Sequence, residues 1–120
     1  MIKSHKNLNV WQEAMKLVAT VYEITKHFPD EERFGLIAQM RRSAVSIPSN
    51  IAEGAARQTK KDSLNFYIIA RASLSELDTQ LELCKLLKYL SAEAVIKVFQ
   101  QIDAVDSLLS GLIRFQRRKE

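Results

Sequence analysis

The residues best suited to chemistry in this chain lie in one stretch, from Gln39 to Arg57. Gln39, Arg42, Ser43, Ser46, Asn50, Glu53 and Arg57 recur at spacings of three and four, so on a helix they form one polar stripe. Ser46, Asn50 and Glu53 bring a hydroxyl, an amide and a carboxylate to that stripe, but no histidine joins them as a general base. Glu53 and Glu76 offer two carboxylates from two helices, the start of a di-metal site. The Glu-x-x-His spacing that completes such sites is missing: Lys26 follows Glu23, and Ala56 follows Glu53, at that offset. No Gly-rich phosphate loop occurs. Cys84 is the single cysteine, and His5 and His27 stand apart, so no zinc cluster forms. The expectation is a protein that is not an enzyme and uses no metal or cofactor.

The second chemistry on offer is phosphate binding. The chain carries 18 Lys and Arg against 14 Asp and Glu, a net charge of +4. Arg41, Arg42, Arg57, Lys60, Lys61 and Arg71 make one group of candidates for nucleic acid, and Arg114, Arg117, Arg118 and Lys119 a second. Each arginine also has an intramolecular alternative: a salt bridge to Glu53, Glu76 or Asp78, or a place at a helix C-terminus that favours cations. Tyr22, Tyr67 and Tyr89 would either stack on bases or pack in the core and at its rim.

These residues need a scaffold, and 120 residues supply one domain, residues 1–120. With 3 Gly and 2 Pro, the chain is too poor in turn formers for a sandwich, a barrel or a Rossmann-type sheet. Apolar residues instead recur at the helical period in four segments. The first holds Val10, Ala14, Leu17, Val21, Ile24 and Phe28, with Asn7 or Asn9 as cap and Pro29 as stop. The second begins at Asp30-Glu31-Glu32, holds Ile37, Met40, Ala44, Ile47, Ile51 and Gly54, and runs to about Arg57. The third, capped by Thr59, holds Phe66, Ala70, Leu74, Leu77, Leu81 and Cys84; Leu83, Leu86, Leu87 and Leu90 predict burial on more than one side at its end. The fourth, capped by Ser91, holds Val95, Phe99, Ile102, Val105, Leu109, Leu112 and Phe115. Short connections between long helices predict an all-α, antiparallel, up-down-up-down four-helix bundle. No apolar run is long enough for a membrane span, and no secretory leader is expected, so the expected location is cytoplasmic.

The second helix is unlike the others. Besides its apolar and polar stripes it carries a line of small residues, Ala38, Val45, Ala52 and Ala56 with Ser49 beside them, which lets another helix approach closely. Ser43, Ser46 and Asn50 are poor choices for an exposed helix interior. Pro48 lacks the N–H that would bond the Ala44 carbonyl, which predicts a bend or a restart. Ser46 would cap a restarted helix, and Asn50 with Glu53 has the spacing of a capping box. Alternatively, the polar stripe faces another subunit or a ligand.

The segment from Gln39 to Gly54, QMRRSAVSIPSNIAEG, resembles the signature of the four-helix bundle family encoded by intervening sequences of bacterial 23S ribosomal RNA genes. Leu8-Asn9-Val10-Trp11-Gln12-Glu13-Ala14, Phe28-Pro29, Glu32-Arg33-Phe34-Gly35-Leu36 and the stretch from Ala70 to Leu77 are similar to further parts of that family's pattern, with Ala72 where glycine is usual. The resemblance implies a homo-oligomer, a ring of five, related to the accessory proteins of diversity-generating retroelements, which bind nucleic acid and a reverse transcriptase. It implies RNA binding, on ribosomal RNA or its inserted segment, as the first expectation. A scaffold that recruits a protein such as a reverse transcriptase is the alternative, with Gln39, Ser46, Asn50, Glu53 and Glu76 then serving assembly or structure.

Overall fold

The computed structural model describes residues 4–119. Four helices account for most of them: α1 (Asn9–Thr25), α2 (Leu36–Ala55), α3 (Lys60–Leu86) and α4 (Ala92–Arg118). Two single 3-10 turns, Ser4–Asn7 and Asp30–Glu32, precede α1 and α2. A helix the length of α2 is about 30 Å long, and the connection 56–59 is far too short to return along it. The next helix must therefore run back.

Contacts across helices agree. Met40, Arg42, Ser46 and Gly54 of α2 meet Cys84, Glu76, Ser73 and Tyr67 of α3, so numbers fall along α3 as they rise along α2. Packing joins α1 to α2, α2 to α3, α3 to α4 and α4 back to α1, while neither diagonal pair is in contact among the described residues. The result is a square, antiparallel bundle of 48 × 23 × 23 Å.

The core is built from the predicted stripes. Ala14, Leu17 and Val21 of α1, Met40, Ala44, Ile47 and Ile51 of α2, Leu77, Leu81 and Cys84 of α3, and Leu109 of α4 are fully buried. Each large apolar side chain among them contributes about 1.5–3 kcal/mol over exposure. Thr59 and Ser91 cap as predicted, accepting from the N–H of Asp62 and of Ala94, both at 3.1 Å.

Several predictions of detail are corrected. Neither Asn7 nor Asn9 caps α1; Leu8 holds the cap position and no side chain bonds there. Asp30-Glu31-Glu32 forms a turn of its own and α2 starts at Leu36. Tyr67, not Phe66, reaches the α3 core, and Val98 and Ile113 join the α4 core while Phe115 is exposed. Leu83, Leu86 and Leu87 are exposed, although Cys84 in the same turn is fully buried against Met40.

Pro48 does not restart the helix: α2 is continuous through it. The lost hydrogen bond and ring clash cost about 3 kcal/mol. Ile47 and Ile51, fully buried on either side, offset that cost. Ser46 therefore caps nothing.

Candidate nucleic-acid interface

The polar stripe of α2 lies along the seam with α3, and its side chains are largely spent there. Arg42 pairs with Glu76 at 2.5 Å. The Ser46 and Ser73 hydroxyls bond at 2.9 Å. The Asn50 amide nitrogen donates to the Ser46 carbonyl at 2.8 Å and to its hydroxyl at 2.9 Å. Glu53 pairs with Arg57 one turn on, at 2.5 Å, and the Arg57 guanidinium lies 4.7 Å from the Phe66 ring centre. Ser43 is fully buried rather than on an open polar face, its hydroxyl donating to the Gln39 carbonyl at 2.9 Å. Gln39 is exposed. Glu53 and Glu76 thus each hold an arginine rather than each other. Ser73 completes the seam; its place three residues before Glu76 is the helical spacing that marks it as an α3 counterpart of the α2 stripe.

The basic candidates divide by position. Arg41 and Arg42 sit near the start of α2. The Arg41 side chain donates through Nε to the Thr25 hydroxyl at 2.9 Å and lies 4.5 Å from the Tyr22 ring centre, which ties α2 to the end of α1. Arg71 is half-buried in the middle of α3. The others gather at the opposite end. There α2 ends, α3 begins and α4 ends around a polar hollow of about 190 Å³ lined by Arg57, Lys60 and Lys119 with Gly54, Ser63, Tyr67 and Gln116. Lys60, Lys61, Arg114, Arg117 and Arg118 are exposed at this end, and none has a carboxylate partner among the described residues.

The start of α1 reaches the same end. Its leading turn packs on α2, and Trp11 shares a groove with Ala52, in the last turns of α2. Lys6, exposed in that turn, therefore joins the basic end. Sequence reasoning passed it over, although the antiparallel topology carries the signal. Against these cations stand Asp62, in the first turn of α3, and Glu53, already paired with Arg57.

The flank between α3 and α4 has the opposite character. Asp78, Asp103 and Asp106 line a hollow of about 310 Å³ with Ser75 and Thr79. Burial, then repulsion from Glu82, Asp103 and Asp106, holds the Asp78 carboxyl above the ordinary aspartate value. Phosphate is repelled there. Among the described residues, no three His, Cys, Asp or Glu side chains come together as a metal site would require. No helix among them is long and apolar enough to cross a membrane.

Of the three tyrosines, Tyr67 is buried, Tyr22 lies under Arg41, and Tyr89 donates to the Glu32 carboxylate at 2.8 Å and packs at 5.3 Å between ring centres on Phe28. Tyr89 and Glu32 join the two connections at the end remote from the basic cluster. Tyr67 forms part of the wall of the basic hollow, and the other two tyrosines lie away from it.

The solved structure of a protein of unknown function from the S23 ribosomal protein family of Bacteroides thetaiotaomicron has the same fold. It superposes with a TM-score of 0.81 at 24% identity, over 88% of this chain and 95% of that one. No curated protein matches the chain. The family model for 23S rRNA-intervening sequence proteins matches residues 6–111, which takes in the whole polar seam and most of the bundle. This chain belongs to that family, the 23S rRNA-intervening sequence proteins.

Proposed function

We propose that this protein is a non-enzymatic, oligomeric RNA-binding bundle that grips phosphates with the basic end. The observation that carries the reading is the convergence of Lys60, Lys61, Arg114, Arg117 and Arg118, without carboxylate partners among the described residues, on one end of a bundle whose α3–α4 flank is acidic. Phosphate contacts of this kind give affinity without reading sequence. A net charge of +4 on one chain is modest. A symmetric assembly repeats the basic end around its axis and concentrates the field. The family's description, with its 23S rRNA intervening sequence, makes ribosomal RNA or its inserted segment the first ligand to test.

A partner protein is the second reading, favoured by one observation: Leu83, Leu86 and Leu87 leave apolar surface exposed at the end of α3. Both readings meet one experiment. The protein is cross-linked in its native cell and recovered, the bound RNA is sequenced and the bound proteins are identified. RNA enriched over an uncross-linked control supports the first reading. Loss of that enrichment, with a stoichiometric protein in its place, supports the second.

A further inference from the structure

The hollow at the basic end is more than a patch of charge. Three of its lining residues are neutral, polar and withdrawn from water: Ser63 at 4% exposure, Tyr67 at 4% and Gln116 at 7%. Buried hydroxyls and amides are normally hydrogen-bonded, because a group left without a partner has lost its water for nothing. Among the described residues, none of these three side chains makes a hydrogen bond. Nor are their polar atoms sealed off, as Gln80 Oε1 is. The hollow they line is the opening left to them. Ser63 and Tyr67 stand one turn apart near the start of α3, and Gln116 is in the last turn of α4. Gly54 makes room for the Tyr67 ring, since a Cβ there would overlap the ring's Cδ1–Cε1 edge. Burial holds the Tyr67 phenol above its ordinary value, so it is a donor at neutral pH.

Charge and size narrow the occupant. Of the three cations in the lining, Arg57 is matched by Glu53, whereas Lys60 and Lys119 have no carboxylate partner among the described residues. That leaves two uncompensated ammonium groups. The first turn of α3 adds the positive end of a helix dipole. Asp62, in the same turn, belongs to a different surface, with Lys61, Leu64 and Ile68. The hollow's volume of about 190 Å³ equals several waters at about 30 Å³ each. Pockets that enclose a whole drug-sized molecule run to roughly 300–1,000 Å³, so a phosphate group fits here and a nucleotide with its base does not. An internal phosphodiester carries one negative charge and two free oxygens, and its chain must leave in two directions. A terminal phosphomonoester carries a charge of about −1.5 to −2 and three acceptor oxygens, and its chain leaves in one. Two free ammonium groups and three unpartnered polar side chains around one small hollow match the monoester.

We infer that this hollow holds the terminal phosphate of an RNA strand, with Lys60 and Lys119 as counter-ions and Ser63, Tyr67 and Gln116 as hydrogen-bond donors. The rest of the strand then lies over the exposed cations of the same end, Lys61, Arg114, Arg117 and Arg118. The inference rests on the proposed RNA binding and names the part of the RNA that the basic end selects. Contacts of the exposed cations hold any strand alike. The hollow discriminates, because its buried polar groups find partners only when a phosphate enters.

The test takes one single-stranded RNA sequence in three forms, phosphorylated at its 5′ end, at its 3′ end or at neither, and measures binding by fluorescence anisotropy at constant ionic strength. The wild type is expected to bind a phosphorylated form at least about tenfold more tightly than the bare strand, the scale of charge-assisted hydrogen bonds. Tyr67→Phe and Ser63→Ala each remove one hydroxyl and little volume, and circular dichroism checks that both keep wild-type helicity. In each, the ratio of affinities is expected to fall severalfold, and in the double variant to approach one. Arg118→Gln, outside the hollow's lining, is expected to weaken all three forms alike and to keep the ratio. Equal wild-type affinity for all three forms would overturn the inference and leave general RNA binding standing. No binding of any form would remove both. A full preference retained by the double variant would overturn the assignment to this hollow. Inorganic phosphate is the competing probe, expected to erase the preference only in large excess over RNA. Erasure at equal concentration would make the hollow a site for the free anion and overturn the RNA end as its ligand.

Discussion

Gly54 has no room for a side chain. A Cβ there would stand 2.7 Å from Cδ1 of the Tyr67 ring and 3.1 Å from the Ser63 carbonyl, so α2 and α3 close on each other where the basic end begins. Gly54→Ala is expected to lower stability by about 1–3 kcal/mol, read from urea unfolding, because a buried ring cannot move aside freely. Asn50 works at the same seam. Asn50→Ala removes its two hydrogen bonds to Ser46 and is expected to cost about 1–2 kcal/mol while leaving RNA affinity unchanged. Unchanged stability with lost RNA binding would assign Asn50 to the ligand instead. Cys84 is fully buried, 3.5 Å from the Met40 sulfur, and burial is the main cause that pushes its thiol up to about 11. At pH 8 an alkylating reagent is expected to spare it in the native protein and to modify it at once in denaturant; mass spectrometry reads the difference.

At the scale of elements, the acidic flank of α3 and α4 gives a pH dependence. The folded state holds the Asp78 carboxyl above its ordinary value, so the unfolded chain ionises first. Ionisation of Asp78 therefore works against folding, and stability falls as pH rises from the ordinary aspartate value through the raised one. Asp78→Asn is expected to raise the thermal midpoint near neutral pH. The advantage should vanish as pH drops below the usual carboxylate range, which a midpoint series across pH measures.

Helices were also the most legible level of the sequence. Four stripes at the helical period identified all four helices, and Thr59 and Ser91 identified two of their starts. What the pattern missed has physical causes. The choice between Phe66 and Tyr67, or between Leu112 and Ile113, is one residue of phase, and a long helix drifts against any strict repeat, so neighbours compete for the core. Leu83, Leu86 and Leu87 read as core because hydrophobicity does not say how many sides of a helix its neighbours cover. Pro48 read as a break because its local cost is visible in sequence, whereas the burial of Ile47 and Ile51 that offsets it is a property of the packed bundle. In the polar stripe the spacing identified Ser46, Asn50 and Glu53 as neighbours, but only packing against α3 reveals that Ser73 and Glu76 occupy their face.

For the molecule as a whole, topology does what no single segment can. Residues about 60 apart in sequence, Lys60 and Lys119, line one hollow because α3 starts where α4 ends. The basic candidates of the sequence were two clusters; the fold makes one of most of them and leaves Arg41 and Arg42 engaged elsewhere with Thr25, Tyr22 and Glu76. A cationic end and an acidic flank divide the surface into a face that attracts phosphate and one that repels it.

The salt dependence of RNA binding tests the central claim most directly. Affinity for a single-stranded RNA is measured from low to physiological salt for the wild type and for a variant with Lys60, Lys61, Arg117 and Arg118 changed to glutamine. The logarithm of the binding constant should fall linearly with the logarithm of salt, and the variant's slope should be shallower by about 2–3 per protomer, as expected from four lost phosphate contacts. Equal slopes and equal affinities in the two proteins would contradict the assignment of RNA binding to the basic end.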